Sequence, residues 1–300
     1  PAGGAHTVPL AGGGGAGKAS DANMAGGSSF EVGNNLIASN AYAFGEQAGP
    51  NGVVNVLDGG RLSIGNANGL NATTTVQSGG MLDYTSSSLD GTGEITFQSG
   101  SLLRIGTTST SALSGSQLDA NDITTDLEAV YLRSNVDVSI ANAINKAVPL
   151  AVEGDLVGGT LDANGRHISA EAAGNRTRTL TGPITVGTDG AIFSAPSTDK
   201  NDGLNRHTTL RFTGQVVQDA NDGVLQLGAA GTIDDEELRG RLQFEGTGHR
   251  LHNVSVDADR LILRNENALN GDVNESTYVE VNGLEYLQLY HTATGPNVPT

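Results

Sequence analysis

Cysteine and tryptophan are missing altogether from the 300 residues, and lysine occurs only three times. Without cysteine there is no disulfide, no thiolate–zinc site and no cysteine nucleophile. The 16 basic residues face 33 acidic ones, for a formal net charge of −17. Nucleic-acid binding depends on neutralising phosphates with Lys and Arg, so that balance argues against it, and against anionic membrane surfaces likewise. No apolar run approaches the ~18–20 residues of a membrane-spanning helix; the nearest, Ala147 to Val152, is short and contains Pro149. Aromatic residues make up 4% of the chain, which leaves few platforms for stacking sugar rings. Pro1 as the first residue fits a processed chain or a segment of a longer one.

What is plentiful is glycine, 43 residues without the three-residue period of collagen. Residues 1–28 are Gly, Ala and Ser with few apolar anchors and read as a flexible arm. From residue 29 to residue 300 short β-branched runs alternate with Gly, Asn and Asp, the punctuation of strands and turns.

Three segments align on one glycine: VNVLDGGRLSIG from Val54, TTVQSGGMLDYT from Thr74 and ITFQSGSLLRIG from Ile95. Their anchors are Gly59, Gly79 and Gly100, a nearly constant step of about 20 residues. In each unit a strand alternating apolar and polar leads through a small-residue corner into a second such strand. Alternation at period two buries one face of a strand. Glycine supplies the positive φ of the corner. A unit this short cannot bury its apolar face alone, so neighbouring copies must stack. The expected fold is all-β, a parallel β-helix whose core lies on Val54, Val56, Leu62, Ile64, Val76, Leu82, Ile95, Phe97 and Ile105. Val56, Val76 and Phe97 are expected in one interior column.

The texture continues, less regularly, through Ile184-Thr185-Val186, Val224 to Leu227, Leu242 to Phe244 and Leu261 to Leu263. At roughly 20–22 residues per coil and ~4.8 Å between strands, residues 50–290 give about eleven coils and a length of about 50 Å. A β-sandwich shares the short alternating strands but favours Trp, Tyr and spacings of about 8–12 residues. Ala141 to Val152 is open between a helical turn and strand, because Pro149 and β-branched flanks interrupt it.

The three units, with GTLDANGRHISAEAAG from Gly159 and LTGPITVGTDGAIFSAP from Leu180, resemble the autotransporter-associated β-strand repeats of bacterial surface and secreted proteins. The resemblance covers about residues 50–290 and rests on composition more than on chemistry. It implies a right-handed parallel β-helix outside the cell. The aromatic-girdled barrel segments that accompany self-export are not seen in this sequence.

Candidate chemistry is sparse. Gly12, Gly17 and Lys18 have phosphate-loop spacing, but Ala19 replaces the magnesium-binding hydroxyl. Asp119, Asn121 and Asp122, and again Asp219, Asn221 and Asp222, put oxygen ligands on tight turns, which suits a hard cation such as Ca2+; side chains bonding their own backbone explain such turns equally well. Asp83 and Arg104 occupy equivalent positions after Gly79 and Gly100, with Ser63 preceding them, and read as a surface ion pair. His249 and His252 read as exposed turn residues. No nucleophile elbow of the G-x-S-x-G type occurs. The N-x-S/T tripeptides at Asn71, Asn175, Asn253 and Asn274 are no more than chance supplies.

The expectation is therefore a non-catalytic, extracellular structural protein of a bacterial surface, without organic cofactor, whose main partner is itself in a layer, fibre or adhesive matrix. Surface polysaccharide is a second expected partner. The alternative is a β-helical polysaccharide-degrading enzyme or a tailspike-like depolymerase.

Overall fold

The computed structural model describes residues 6–7, 17–18, 29–32, 35–38, 53–64, 73–84, 93–106, 127–133, 135–170, 177–195, 208–219, 221–228, 241–245, 248–257, 260–263, 278–281 and 286–289. It divides into two units, Pro1–Val148 and Pro149–Thr300. Nearly every element is a short parallel strand, and each unit is an all-β parallel solenoid.

The first unit holds β1 (His6–Thr7), β2 (Gly17–Lys18), β3 (Ser29–Val32), β4 (Asn35–Ala38), β5 (Val53–Val56), β6 (Arg61–Ile64), β7 (Thr73–Val76) and β8 (Met81–Tyr84). After them come β9 (Ile95–Phe97), β10 (Leu102–Ile105), β11 (Ala129–Leu132) and β12 (Val136–Asp137). One sheet runs β1-β3-β5-β7-β9, and β2-β4-β6-β8-β10-β11 run in order through another. From β1 to β10 successive strands of the chain thus go to alternate sheets, each pairing with the strand one coil later, and β11 then pairs with β10 in the same sheet. Phe30, Val54, Thr74 and Ile95 share one row of the register, and Val32, Val56, Val76 and Phe97 another. Val56 and Val76 are fully buried and Phe97 nearly so, which is the column expected from the repeat. Leu62, Leu82, Leu103 and Val130 form the facing column, all buried.

Within the stretch left open between helix and strand, α1 spans Val138–Ala143, while Leu150–Val152 is strand. Asp137 caps the helix by accepting from the Ser139 amide, and its carboxyl lies below the usual range because the Ser139 hydroxyl and amide both donate to it.

The second unit begins with β13 (Leu150–Val152), β14 (Leu156–Val157), β15 (Leu161–Asp162), β16 (Arg166–Ala170), β17 (Thr177–Leu180), β18 (Ile184–Thr185) and β19 (Ala191–Ser194). It continues with β20 (Thr209–Phe212), β21 (Val216–Val217), β22 (Leu225–Gly228), β23 (Arg241–Phe244), β24 (Asn253–Asp257), β25 (Arg260–Leu263), β26 (Tyr278–Val281) and β27 (Tyr286–Leu289). Three sets of rungs are β13-β16-β19-β22-β24-β26, β15-β18-β21 and β17-β20-β23-β25-β27. Here the coils are longer and less even than those of the repeat. Arg166 pairs Ala191, Ala191 pairs Leu225, and Leu225 pairs Val254, so no two successive steps are equal. The interior holds a ladder in which the buried Leu180, Phe212 and Phe244 follow in register. The Phe212 and Phe244 rings are stacked at 4.7 Å, and Phe193 lies 4.9 Å from Phe212.

The corners stack as well. Gly59 donates to the Gly79 carbonyl at 3.1 Å, Gly79 to Gly100 at 2.8 Å, and Gly165 to Gly190 at 2.7 Å. Gly59 and Gly190 share the left-handed backbone, with φ of 69° and 72°, but differ in surroundings. A Cβ on Gly59 meets nothing within 4 Å, whereas one on Gly190 lies 2.2 Å from the Val224 carbonyl oxygen on the next coil. Gly59→Ala should therefore lower stability by about 1 kcal/mol, the left-handed penalty alone. Gly190→Ala adds an overlap with backbone and should lower it by about 3 kcal/mol. Parallel urea titrations of the two variants check the difference.

Where coils diverge in length, buried polar side chains replace ladder bonds. Gln218 is fully buried, accepts from the His252 and Asn253 amides at 3.0 and 3.1 Å, and donates to the Gly223 and Asn253 carbonyls. His249, 2% exposed, accepts from the Val216 amide through Nδ1 and donates to the Glu245 carbonyl through Nε2. That pattern requires the neutral ring, and His249 and His252 are thus buried rather than exposed turn residues. The turn reading failed because the rung before supplies partners that sequence spacing does not reveal.

Burial pushes His249 below its ordinary value of 6.5, with the Glu245 carbonyl opposing, and burial alone does the same at His167. A base depressed in the folded state is protonated first in the unfolded chain. Its contribution is fully present above the unfolded value and is lost as pH falls below it. Melting temperature should begin to drop as pH falls through the unfolded value of about 6.5, and His249→Gln should flatten that slope. An unchanged slope in the variant would assign the acid sensitivity elsewhere.

Candidate functional site

Among the described residues, a group of charged side chains gathers on the outer face of the first unit. Register places Ser63, Asp83, Arg104 and Tyr131 in one row across β6, β8, β10 and β11. Alternation puts Arg61 on the same face two residues before Ser63, and Arg133 two residues after Tyr131. Long side chains carry both back to the carboxylate of Asp83. Arg61 donates to Asp83 Oδ2 through Nε at 2.9 Å and also through Nη2. Ser63 Oγ donates at 3.1 Å, and Arg133 Nη2 donates from two coils away at 2.7 Å. The in-row partner Arg104 is the most distant, with Nη1 at 4.0 Å.

Asp83 is 1% exposed, while the three guanidinium side chains are 22–33% exposed. The expected surface ion pair is thus a carboxylate roofed by three arginines, because two diagonal neighbours outreach the one in register. The donors crowd onto Oδ2, and the buried Oδ1 has no hydrogen-bond partner among the described residues. Three guanidinium groups thus gather about the one carboxylate of Asp83.

Other candidate groups are placed as follows among the described residues. Ser194 Oγ lies 2.7 Å from His167 Nε2, but Ser194 is 2% exposed. A nucleophile must reach a substrate; this pair instead ties adjacent rungs. Gly17 and Lys18 are extended in β2, paired with Leu36 and Ile37, not at the helix start a phosphate loop requires.

Asp119, Asn121 and Asp122 lie outside the described residues. In the second turn Asp222 Oδ2 accepts from the Asp219 amide at 2.7 Å, the Asp222 amide donates to the Asp219 carbonyl at 3.0 Å, and Arg250 lies 3.4 Å from Asp219 Oδ1. Asn221 is exposed on the same turn. A cation there competes with these partners, and among the described residues no three His, Asp or Glu gather as a metal site. No helix of the described residues is long and apolar enough to cross a membrane.

No family model, curated protein or solved structure matches the chain.

Proposed function

We propose that the chain is a non-catalytic structural protein of a bacterial exterior, a right-handed parallel β-helix of about eleven coils that self-associates into a layer, fibre or adhesive matrix. The observation that carries this reading is the ladder of parallel strands, in which rung pairs with rung from β1 to β9 and from β17 to β27. Such a ladder extends by adding a parallel strand of another copy at end strands such as β26 and β27. Identical subunits joined head to tail by a contact that does not close form filaments. Tyr278 and Tyr286 sit on these end strands, and tyrosine is enriched at interfaces. The acidic surplus keeps the assembling chain soluble, and the resemblance of the repeat units to autotransporter-associated repeats supports an exterior setting.

Light scattering across a concentration series, with negative-stain images of the same samples, tests the proposal. Growth of filaments or sheets with concentration supports it. A monomer that persists at high concentration contradicts it, and robust turnover of acidic or neutral polysaccharides contradicts the non-catalytic part.

A further inference from the structure

We propose that Asn164-Gly165 is a self-modification site held shut by the stacked coils, so that opening of this corner converts Asn164 irreversibly to aspartate or isoaspartate. This goes beyond the structural reading and holds whether or not the chain assembles.

The two residues supply the chemistry. The Gly165 backbone nitrogen, on losing its proton, attacks Asn164 Cγ; a C–N bond forms, the Cγ–Nδ2 bond breaks and ammonia leaves. Water then opens the cyclic imide at either carbonyl, giving aspartate or isoaspartate. Water is the sole co-reactant. A glycine in the second position offers the least hindrance to ring closure, because it has no Cβ. Asn-Gly occurs five times in the chain, at Asn51, Asn68, Asn164, Asn270 and Asn282, and the pair at Asn164 is the one that falls among the described residues.

The stack controls whether that chemistry can start. Gly165 has a φ of 69° at the corner between β15 and β16, and its amide donates to the Gly190 carbonyl of the next coil at 2.7 Å. A nitrogen whose proton is held in this way cannot attack until the bond opens, the condition that also governs hydrogen exchange. Asn164 Oδ1 accepts from the Asp189 amide at 2.8 Å, and Nδ2 donates to Asp189 Oδ2 at 3.0 Å. The first of these bonds polarises the side-chain carbonyl toward attack, but together they pin the amide to the next coil. The side chain also rests on Gly187, where an added Cβ would come 2.6 Å from Asn164 Cγ. The electrophile is thus fixed and the nucleophile locked for as long as the two coils stay stacked.

The same contacts make conversion one-way. An amide offers both donor and acceptor to Asp189, whereas an ionised carboxylate only accepts. The product therefore cannot remake the bond from Nδ2 to Asp189 Oδ2, and it sets two carboxylates against each other. Isoaspartate in addition carries the backbone through Cβ and Cγ, which lengthens the corner and shifts Gly165 from its place against Gly190. Each opening that reacts leaves a corner that no longer closes as before, so converted molecules accumulate with time and the second unit has a built-in limit on its lifetime.

Peptide mass mapping of the whole protein, incubated in mildly alkaline buffer with and without urea, tests this. Conversion at Asn164 should run about tenfold or more slower in the folded protein than in the urea-unfolded chain. Asp189→Ala removes one of the two pins and should speed conversion in the folded protein several-fold while leaving the unfolded rate alone. If Asp189→Ala does not fold, the unaltered protein decides instead: across urea concentrations below the unfolding transition, conversion should rise in step with hydrogen exchange at the Gly165 amide. Asn164→Asp, which copies the converted side chain, should melt below the unaltered protein at neutral pH. It should recover most of that difference in acid, where one of the two facing carboxyls is protonated and donates again. Equal conversion rates in folded and unfolded protein, or conversion that does not follow exchange at Gly165, overturns the proposal. So does an Asp189→Ala protein that folds and converts at the unaltered rate, an Asn164→Asp protein that melts like the unaltered one at neutral pH, or a melting loss that persists undiminished in acid.

Discussion

Val76→Asp should lower the stability of the first unit by about 4 kcal/mol or more, enough to unfold a marginal domain. Val76 is fully buried between Val56 on one coil and Phe97 on the next. A carboxylate placed there loses its water and lies between hydrocarbon side chains, Val56 and Phe97. Its neighbour Thr75 lies on the outward side of the same strand, paired with Asn55 and Thr96. Thr75→Asp should shift stability by no more than about 0.5 kcal/mol. Thermal melts of the two variants measure the contrast between faces of one strand, and equal melting temperatures would mean the strand is not seated in this register.

In the second unit the largest loss should come from Phe212→Ala, about 3–5 kcal/mol. Phe212 is fully buried in the middle of the aromatic ladder, between Leu180 and Phe244 in register and against Phe193. Removing its ring empties one rung while the rungs on either side are fixed by backbone bonds and cannot collapse into the space. Phe212→Leu, which keeps most of the volume, should lose about 1.5 kcal/mol or less. Equilibrium denaturation resolves the two. A small loss for the alanine variant would mean that this column tolerates voids and that the ladder contributes little.

How far the sequence could be read depended on loop length. In the first unit the corner glycines 59, 79 and 100 recur at a nearly constant step, so period, register and core column follow directly from the residues. In the second unit the same alternation and the same left-handed glycines persist at Gly165 and Gly190, but linkers of changing length separate the rungs. A fixed period then fails although each strand remains visible. The Asp83 cluster was half legible. Its row of Ser63, Asp83 and Arg104 follows from the repeat, whereas Arg61 and Arg133 reach it diagonally from other positions. Parity was the available signal for Arg61, two residues before Ser63 and hence on the same face, whereas Arg133 follows Tyr131, which joins the row only through the register of β10 and β11. Gln218 and His249 gave no such sign, because their partners include backbone groups of neighbouring coils, remote in sequence and at no fixed period.

The absence of native cysteine makes the stacking of coils directly measurable. Thr75 and Thr96 are paired across β7 and β9, and Thr185 and Val217 across β18 and β21. Double substitutions Thr75→Cys with Thr96→Cys, and Thr185→Cys with Val217→Cys, place one thiol pair in each unit about 4.8 Å apart along the ladder. A short bifunctional thiol reagent should cross-link both pairs rapidly and within one chain, while Asn55→Cys with Thr96→Cys, two rungs apart, should react more slowly. Peptide mapping that finds these cross-links establishes parallel coils in this register. Failure of both in-register pairs to react, with Asn55 and Thr96 linking as fast or faster, would contradict it.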